Sequence, residues 1–241
     1  MAVGHARPLV MAAATTLEMR AALKNLEMRE APADVPQRGA VRTLLAGREA
    51  LLLVTGVGPV NAALEMGRVM GRFDISGVIH VGLAGGFDAR LAPLGSAVLA
   101  LAETYPEYGV AQDDGLAGTA GFPFAQWERG ERKIFQRIEL QPDAAAKALE
   151  LALPPEIGRG TFVTVPGVTG TAQRARELVS RHGALAENME GFAVALAALS
   201  VDVPYLELRT ISNEVGERDR DKWAFKEAFD RLSSVTAGLF A

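Results

Sequence analysis

Six short apolar runs set the strongest limit on what this chain can fold into: "PLVMAAAT" (8–15), "ALLLVT" (50–55), "GVIHVGLAG" (77–85), "SAVLALAETY" (96–105), "GTFVTV" (160–165) and "PYLELRTIS" (204–212). Each has the length of a strand, and most are continuously hydrophobic rather than alternating. That pattern belongs to strands covered on both faces. Stretches with helical spacing follow several of them, at about 59–72, 141–152, 170–182, 189–200 and 221–239. The alternation predicts an α/β fold: a three-layer α/β/α sandwich whose central sheet is mixed and mostly parallel. Residues 106–139, rich in glycine, proline and aromatics, break the rhythm and are expected to form an irregular insertion near the rim of the sheet. The region at 30–40 reads as a surface connection. No repeat or linker divides the chain, so residues 1–241 read as one domain.

Charge narrows the partner. A net charge of -4, with no run of Lys or Arg, lacks the clustered cations that neutralise phosphates. Nucleic acid and anionic membrane are therefore disfavoured as partners. No stretch reaches the roughly 18 apolar residues of a membrane span, and the N-terminus carries no secretory pattern, so the cytoplasm is the expected location. The chain has no cysteine, which removes disulfides, thiolate nucleophiles and cysteine zinc sites. His5, His80 and His182 lie far apart and match no metal-ligand spacing. A small-molecule ligand, with neither metal nor organic cofactor, is the expectation.

Several motifs stand where strands give way to helices. "TGVGPVNAA" (55–63) is a glycine-rich turn with Pro59 near the helix start, where a missing N–H costs nothing. It reads equally as an anion cradle or as a tight turn. In "VGLAGGFD" (81–88), Gly85 and Gly86 follow a buried strand and would let backbone pass close to a flat ligand, the alternative being a turn that feeds a crossover. Two readings of Glu18 in "ATTLEMRAAL" stand side by side: a first-turn glutamate favoured by the helix dipole, or a carboxylate facing the ligand crevice at the end of the sheet. "ENMEGFAVALAAL" (187–199) places Glu187 and Glu190 before an almost wholly apolar helix, and carboxylates there need partners such as ligand hydroxyls. His80, inside "VIHVG", reads as a hydrogen-bonded core histidine. "RTISNEVGERD" (209–219) puts Asn213 at the end of an apolar strand, where a carboxylate would be less surprising than an amide.

Taken in order, "TTLE", "TGVGPVNAA", "VGLAGGFD", "ENMEG" and "RTISN" resemble the nucleoside phosphorylase and nucleosidase superfamily, and look like its methylthioadenosine/S-adenosylhomocysteine nucleosidase branch. The resemblance covers residues 8–240, with 106–139 poorly matched. "ENMEG", "TGVGPVNAA" and "SNEVGERDRDKW" (212–223) are most similar to the futalosine hydrolase family within it. That resemblance implies hydrolysis of the N-glycosidic bond of futalosine, a purine nucleoside, to hypoxanthine and dehypoxanthine futalosine. It also implies a place in menaquinone biosynthesis and a homodimer or higher homo-oligomer. Rival readings are an adenine-specific methylthioadenosine/S-adenosylhomocysteine nucleosidase, a purine nucleoside phosphorylase, and a nucleoside-binding module without turnover.

By the same resemblance, Glu18 matches the glutamate that activates water, Met189 and Glu190 the pair that grips the ribose hydroxyls, and Arg209 an arginine that orders neighbouring carboxylates. Asn213 departs from the aspartate of the adenine-specific relatives. A 6-oxopurine presents an O6 acceptor beside N7, where adenine presents an amino donor. An asparagine offers both a donor and an acceptor. Asn213 is thus expected to select hypoxanthine and to hydrogen-bond the leaving group. Leu83, where relatives place a small polar residue, disfavours phosphate. Trp223 is expected to cover the 5′ substituent, with Arg218 or Arg220 pairing its carboxylate; Trp223 as a helix-start core residue, with the arginines on a solvated face, is the competing reading.

Overall fold

The computed structural model describes residues 7–26, 39–111 and 117–241. The chain opens with β1 (Leu9–Ala13), α1 (Thr16–Leu23), β2 (Gly39–Leu45), β3 (Arg48–Val54), α2 (Pro59–Met70), β4 (Gly77–Gly86) and β5 (Ala97–Thr104). The 106–139 region holds β6 (Val110–Ala111), β7 (Ala117–Gly118), β8 (Trp127–Arg129), β9 (Arg132–Ile134) and β10 (Arg137–Glu139). The remainder is α3 (Pro142–Ala148), β11 (Gly158–Thr164), α4 (Ala172–His182), β12 (Ala184–Asn188), α5 (Gly191–Ser200), β13 (Tyr205–Glu214) and α6 (Phe225–Leu239).

Nine strands form the central sheet, with five parallel and four antiparallel pairings among the described residues. Strand β1 shows how one sequence feeds two layers, because successive side chains in a strand point to opposite faces. Leu9, Met11 and Ala13 pack with Met19 and Ala22 of α1 and Leu232 and Val235 of α6. Val10 and Ala12 pack with Ala62 and Met66 of α2 and Phe192 and Ala195 of α5. All five β1 residues are buried, which is why the run is continuously apolar. The expected three-layer α/β/α architecture is therefore present.

The sheet is also curled. β13 pairs with both β4 and β5, and β5, β11, β12 and β4 pair in turn, so five strands close a ring. Register shifts between Ile211 and Asn213 and within β11 bend the strands where the ring closes. The C-terminal ends of β1, β4, β12 and β13 consequently converge on one crevice.

Strands β2, β10 and β12 lie outside the six apolar runs. β2 is partly exposed along most of its length, and β12 is five residues long and ends in "EN", so neither carries the buried-strand signature. The 106–139 region consists of two small antiparallel pairs followed by β10, which extends the sheet beside β5. Arg129 grips the Asp202 carboxylate with two hydrogen bonds of 2.6 Å, fastening β8–β9 beyond the C-terminus of α5. Residues 112–116, and 30–38 of the expected surface connection, lie outside the described residues.

Candidate active site

A cavity of about 620 Å³ opens where these strand ends meet the starts of α1, α2 and α5. Glu18, Gly85, Met189, Glu190, Asn213 and Trp223 line it, together with Leu83, Arg218 and Arg220. No described residue of the 106–139 segment does.

Glu18 is fixed by local sequence. Thr15 is the N-cap of α1: its hydroxyl accepts from the Glu18 N–H at 3.2 Å. Glu18 Oε2 accepts in return from the Thr15 N–H at 2.9 Å and the Thr15 hydroxyl at 2.7 Å. This reciprocal arrangement is a capping box. Glu18 Oε1 accepts from the Leu83 N–H at 2.8 Å. A carboxylate has about four acceptor positions. Three are taken, and the one left is on Oε1. Glu18 is thus a first-turn residue that caps the helix through one oxygen and also lines the cavity.

Glu190 ends the β12–α5 turn. Its Oε1 accepts from the Gly58 N–H at 2.9 Å, so the glycine-rich turn before α2 holds a carboxylate of the protein itself. Asn188 shapes the turn: its Oδ1 accepts from the N–H groups of Glu190 at 2.9 Å and Gly191 at 2.7 Å, satisfying donors that open α5. Burial pushes the Glu190 carboxyl up to about 7, with Glu18 adding to the rise, while Arg209 and the Gly58 N–H pull the other way. Glu187 is held by the Thr169 N–H and hydroxyl at 3.0 and 2.5 Å, and burial raises it too.

Arg209 is completely buried beneath the cavity rather than in its wall. Its Nε donates to Glu207 at 2.9 Å and its Nη1 lies 3.7 Å from Glu190. Burial opposes its charge, but Glu207, Glu190 and Glu18 outweigh that and raise its affinity for the proton. Glu190 stays high because its burial outweighs the attraction of Arg209, 3.7 Å away, and Glu18 and Glu207 repel it further. The arginine can approach because Gly82 has no side chain: a Cβ there would meet Arg209 Nη1 and Glu18 Oε1, each at 2.6 Å. His80 is buried against Arg209 and the Tyr205 hydroxyl, and both burial and Arg209 lower its proton affinity well below the ordinary range. It is a neutral core histidine, as its apolar context indicates.

Asn213 is half-exposed. Its Oδ1 accepts from the Ser212 hydroxyl at 2.9 Å and its Nδ2 donates to the Glu214 carbonyl at 3.0 Å. One donor and one acceptor position of the amide are left over. Gly85 makes room for the amide: a Cβ would lie 3.2 Å from Asn213 Nδ2 and 2.9 Å from Val215. Gly86 does not line the cavity; its missing Cβ admits the Ala92 carbonyl and Ile211 instead. At the far end, Trp223, Phe225 and Phe229 form an aromatic wall, with rings 5.2 and 6.3 Å apart. Arg218 and Arg220 stand over the indole at 5.4 and 5.8 Å, and the indole N–H has no partner among the described residues.

The sequence matches the phosphorylase superfamily over residues 8–241. The chain belongs to that superfamily. Within it, the chain is 39% identical over 194 residues to the futalosine hydrolase of Streptomyces coelicolor, covering 78% of this chain and 77% of the relative. It is 35% identical to the futalosine hydrolase of Thermus thermophilus, covering 82% and 84%. A solved 5′-methylthioadenosine/S-adenosylhomocysteine nucleosidase from S. pneumoniae, bound to a transition-state inhibitor, superposes with a TM-score of 0.72 at 18% identity, covering 97% of this chain and 98% of that one. That likeness establishes a shared fold. The superfamily membership and the two hydrolase relatives place the chain among enzymes that hydrolyse N-glycosyl compounds.

Sequence reasoning missed Thr15, Asn188, Phe225 and Phe229. Thr15 and Glu18 spell a capping box at the right spacing, and the two phenylalanines lie four apart at the start of α6, so both signals were present. Asn188 acts through a turn that only the folded chain defines.

Proposed function

We propose that this chain hydrolyses the N-glycosidic bond of futalosine, releasing hypoxanthine. The observation that carries the reading is the convergence in one cavity of a carboxylate with a free acceptor position, Glu18, a buried carboxyl aimed from the start of α5, Glu190, and an amide at the strand end, Asn213.

Water attacks the anomeric carbon as the C1′–N9 bond breaks, and its proton passes to Glu18 Oε1. Glu190, with the backbone at Met189, holds the ribose hydroxyls so that the sugar carbon faces the water. Arg209 holds the carboxyl cluster from beneath. The bonding electrons go to the purine. Asn213 donates to O6 through Nδ2 and accepts a hydrogen bond from N7–H through Oδ1, while solvent supplies the proton that N7 keeps, because an amide has none to give. The Leu83 N–H is already committed to Glu18, and the Leu83 side chain is apolar, so this corner offers little to phosphate. Hydrolysis is favoured over phosphorolysis.

The aromatic wall takes the 5′ substituent, and Arg218 and Arg220 pair with its carboxylate. Further parts of the proposal are a single nucleosidase domain, a cytoplasmic location, a role in menaquinone biosynthesis, and a homodimer that covers exposed Leu17, Val57, Val60 and Leu64 beside the cavity.

A phosphate-free assay of hypoxanthine release from futalosine tests the core of the reading. Release without phosphate supports it. Strict phosphate dependence, or equal cleavage of methylthioadenosine, overturns it. For the 5′ subsite, Arg218→Ala with Arg220→Ala should raise KM for futalosine and leave inosine unchanged.

A further inference from the structure

Below the cavity lies a cluster of ionisable groups that the mechanism above uses only in part. Glu103 from β5 and Glu207 from β13 are both completely or almost completely buried. Both carboxyls crowd over Gly191, where no Cβ could be accommodated. Glu207 Oε1 receives Arg209 Nε at 2.9 Å and Oε2 receives the Tyr205 hydroxyl at 2.7 Å. Glu103 Oε1 receives Asn188 Nδ2 at 2.6 Å and Oε2 receives the Thr164 hydroxyl at 2.7 Å.

Besides the Gly58 N–H, Glu190 has two supports, and each carboxyl holds one of them. Glu207 anchors Arg209, which lies against Glu190 from below. Glu103 orients Asn188, whose Oδ1 holds the Glu190 N–H. Three carboxyls, Glu18, Glu190 and Glu207, act on one guanidinium, and the neighbouring His80 is neutral. Two carboxyls crowded over one point in so dry a site favour a single proton shared between them.

We infer that Glu103 and Glu207 form a proton-sharing carboxyl pair that positions Glu190 through two arms, Asn188 and Arg209, and so sets the grip on the ribose hydroxyls. The inference rests on Glu190 as the ribose-holding group of the proposed reaction. Glu103 is the protonated member: burial first and the Glu207 charge second hold it well above the usual carboxylate range. Both are positioning residues and touch no substrate atom. The charged and titratable groups facing the pair are Tyr205 and Arg209 from β13, His80 from β4 and Glu190 from the start of α5, with Glu18 on the far side of Arg209. Thr164 and Asn188, from β11 and β12, are neutral.

A glutamine at 103 can replace a protonated glutamate: its oxygen accepts from Asn188, its NH2 donates toward Glu207, and the Thr164 hydroxyl turns to Asn188 Oδ1, 3.1 Å away. A leucine can do none of this. The test measures binding of inosine and 2′-deoxyinosine by calorimetry, with every protein, the one that is wild type at 103 and 207 included, carrying Glu18→Gln to suppress turnover, and the pH at which inosine affinity changes. In the wild type, inosine should bind about tenfold or more tighter than 2′-deoxyinosine, the worth of one hydrogen bond to a charged group. Glu103→Gln should keep that ratio and the pH midpoint. Glu103→Leu should lower the ratio to about threefold or less and move the midpoint.

Glu207→Gln, which preserves volume if the leucine variant does not fold, should move the midpoint to lower pH, since the Arg209 charge then falls on Glu190. If Glu103→Gln loses the ratio as fully as a folded Glu103→Leu, or if Glu207→Gln leaves the midpoint in place, the pair does not act as inferred. Absence of ribose discrimination in the wild type would instead refute the ribose-binding role of Glu190.

Discussion

The Glu190 carboxyl should govern how the enzyme responds to pH. Folding raises it from 4.5 to about 7, chiefly by burial. Between those values the native state binds more protons than the unfolded chain, so stability falls as pH rises. The contribution is complete below about 4.5 and lost through 7. At ~1.4 kcal/mol per pH unit the difference amounts to about 3 kcal/mol in the ligand-free protein, as an upper figure. A nucleoside reverses the preference. Two ribose hydroxyls donating together need an ionised carboxylate, because the protonated acid keeps one oxygen as a donor.

Substrate binding at pH 6 should therefore expel close to one proton per site, an order-of-magnitude expectation from linkage, and kcat/KM should rise with pH through about 7. Calorimetry in buffers of different ionisation enthalpy reads the proton directly, and a kcat/KM profile from pH 5 to 8.5 reads the limb. Glu187 is also raised by burial. The control is a pair of variants: Glu187→Gln should preserve the limb and Glu190→Gln should abolish it. A flat profile in the wild type, or a limb that survives Glu190→Gln, refutes the assignment.

Three further outcomes follow from the site. Glu18→Gln should lower kcat by about 10²–10⁴ with nucleoside binding retained, and it should also lower the melting temperature slightly, because the capping box is weakened; retained turnover would remove Glu18 as the base. Asn213→Asp replaces the amide by a carboxyl that, when protonated, can donate its one proton to N7 of an adenine and accept from its amino group. The ratio of kcat/KM for inosine to that for adenosine should fall by about 10²-fold or more, and an unchanged ratio would refute base selection by the amide. Gly85→Ala should displace the Asn213 amide and reduce the same ratio while circular dichroism stays native, since the new Cβ meets Val215 at 2.9 Å and Asn213 Nδ2 at 3.2 Å.

The three-layer arrangement was legible because buried strands and amphipathic helices leave different periods in the sequence, and β1 shows the link residue by residue. Glu18 was legible in position but not in role. A first-turn glutamate and a cavity carboxylate looked like alternatives until the capping box proved to occupy Oε2 and leave Oε1 with a free acceptor position. The Gly85–Gly86 doublet divides: Gly85 lines the cavity and makes room for Asn213, and Gly86 packs against Ala92 and Ile211. Two adjacent glycines on a strand face opposite ways, and the sequence alone does not say which face holds the ligand.

What the sequence concealed most fully is the charged layer beneath the cavity, although its members sat inside the very runs that defined the strands. His80, Glu103, Glu207 and Arg209 are the ionisable interruptions of "GVIHVG", "LALAETY" and "LELRTIS". In the parallel register of β4 and β13, His80 falls beside Glu207 and Gly82 beside Arg209, so strand pairing itself assembles histidine, carboxylate and guanidinium, with a glycine opening the space for the last. Burying such groups lowers stability relative to apolar residues of the same size unless every one is paired. Their placement under Glu190 and Glu18, rather than elsewhere in the sheet, gives the cost a functional counterpart: a fixed electrostatic floor that holds two carboxyls in place before any ligand arrives.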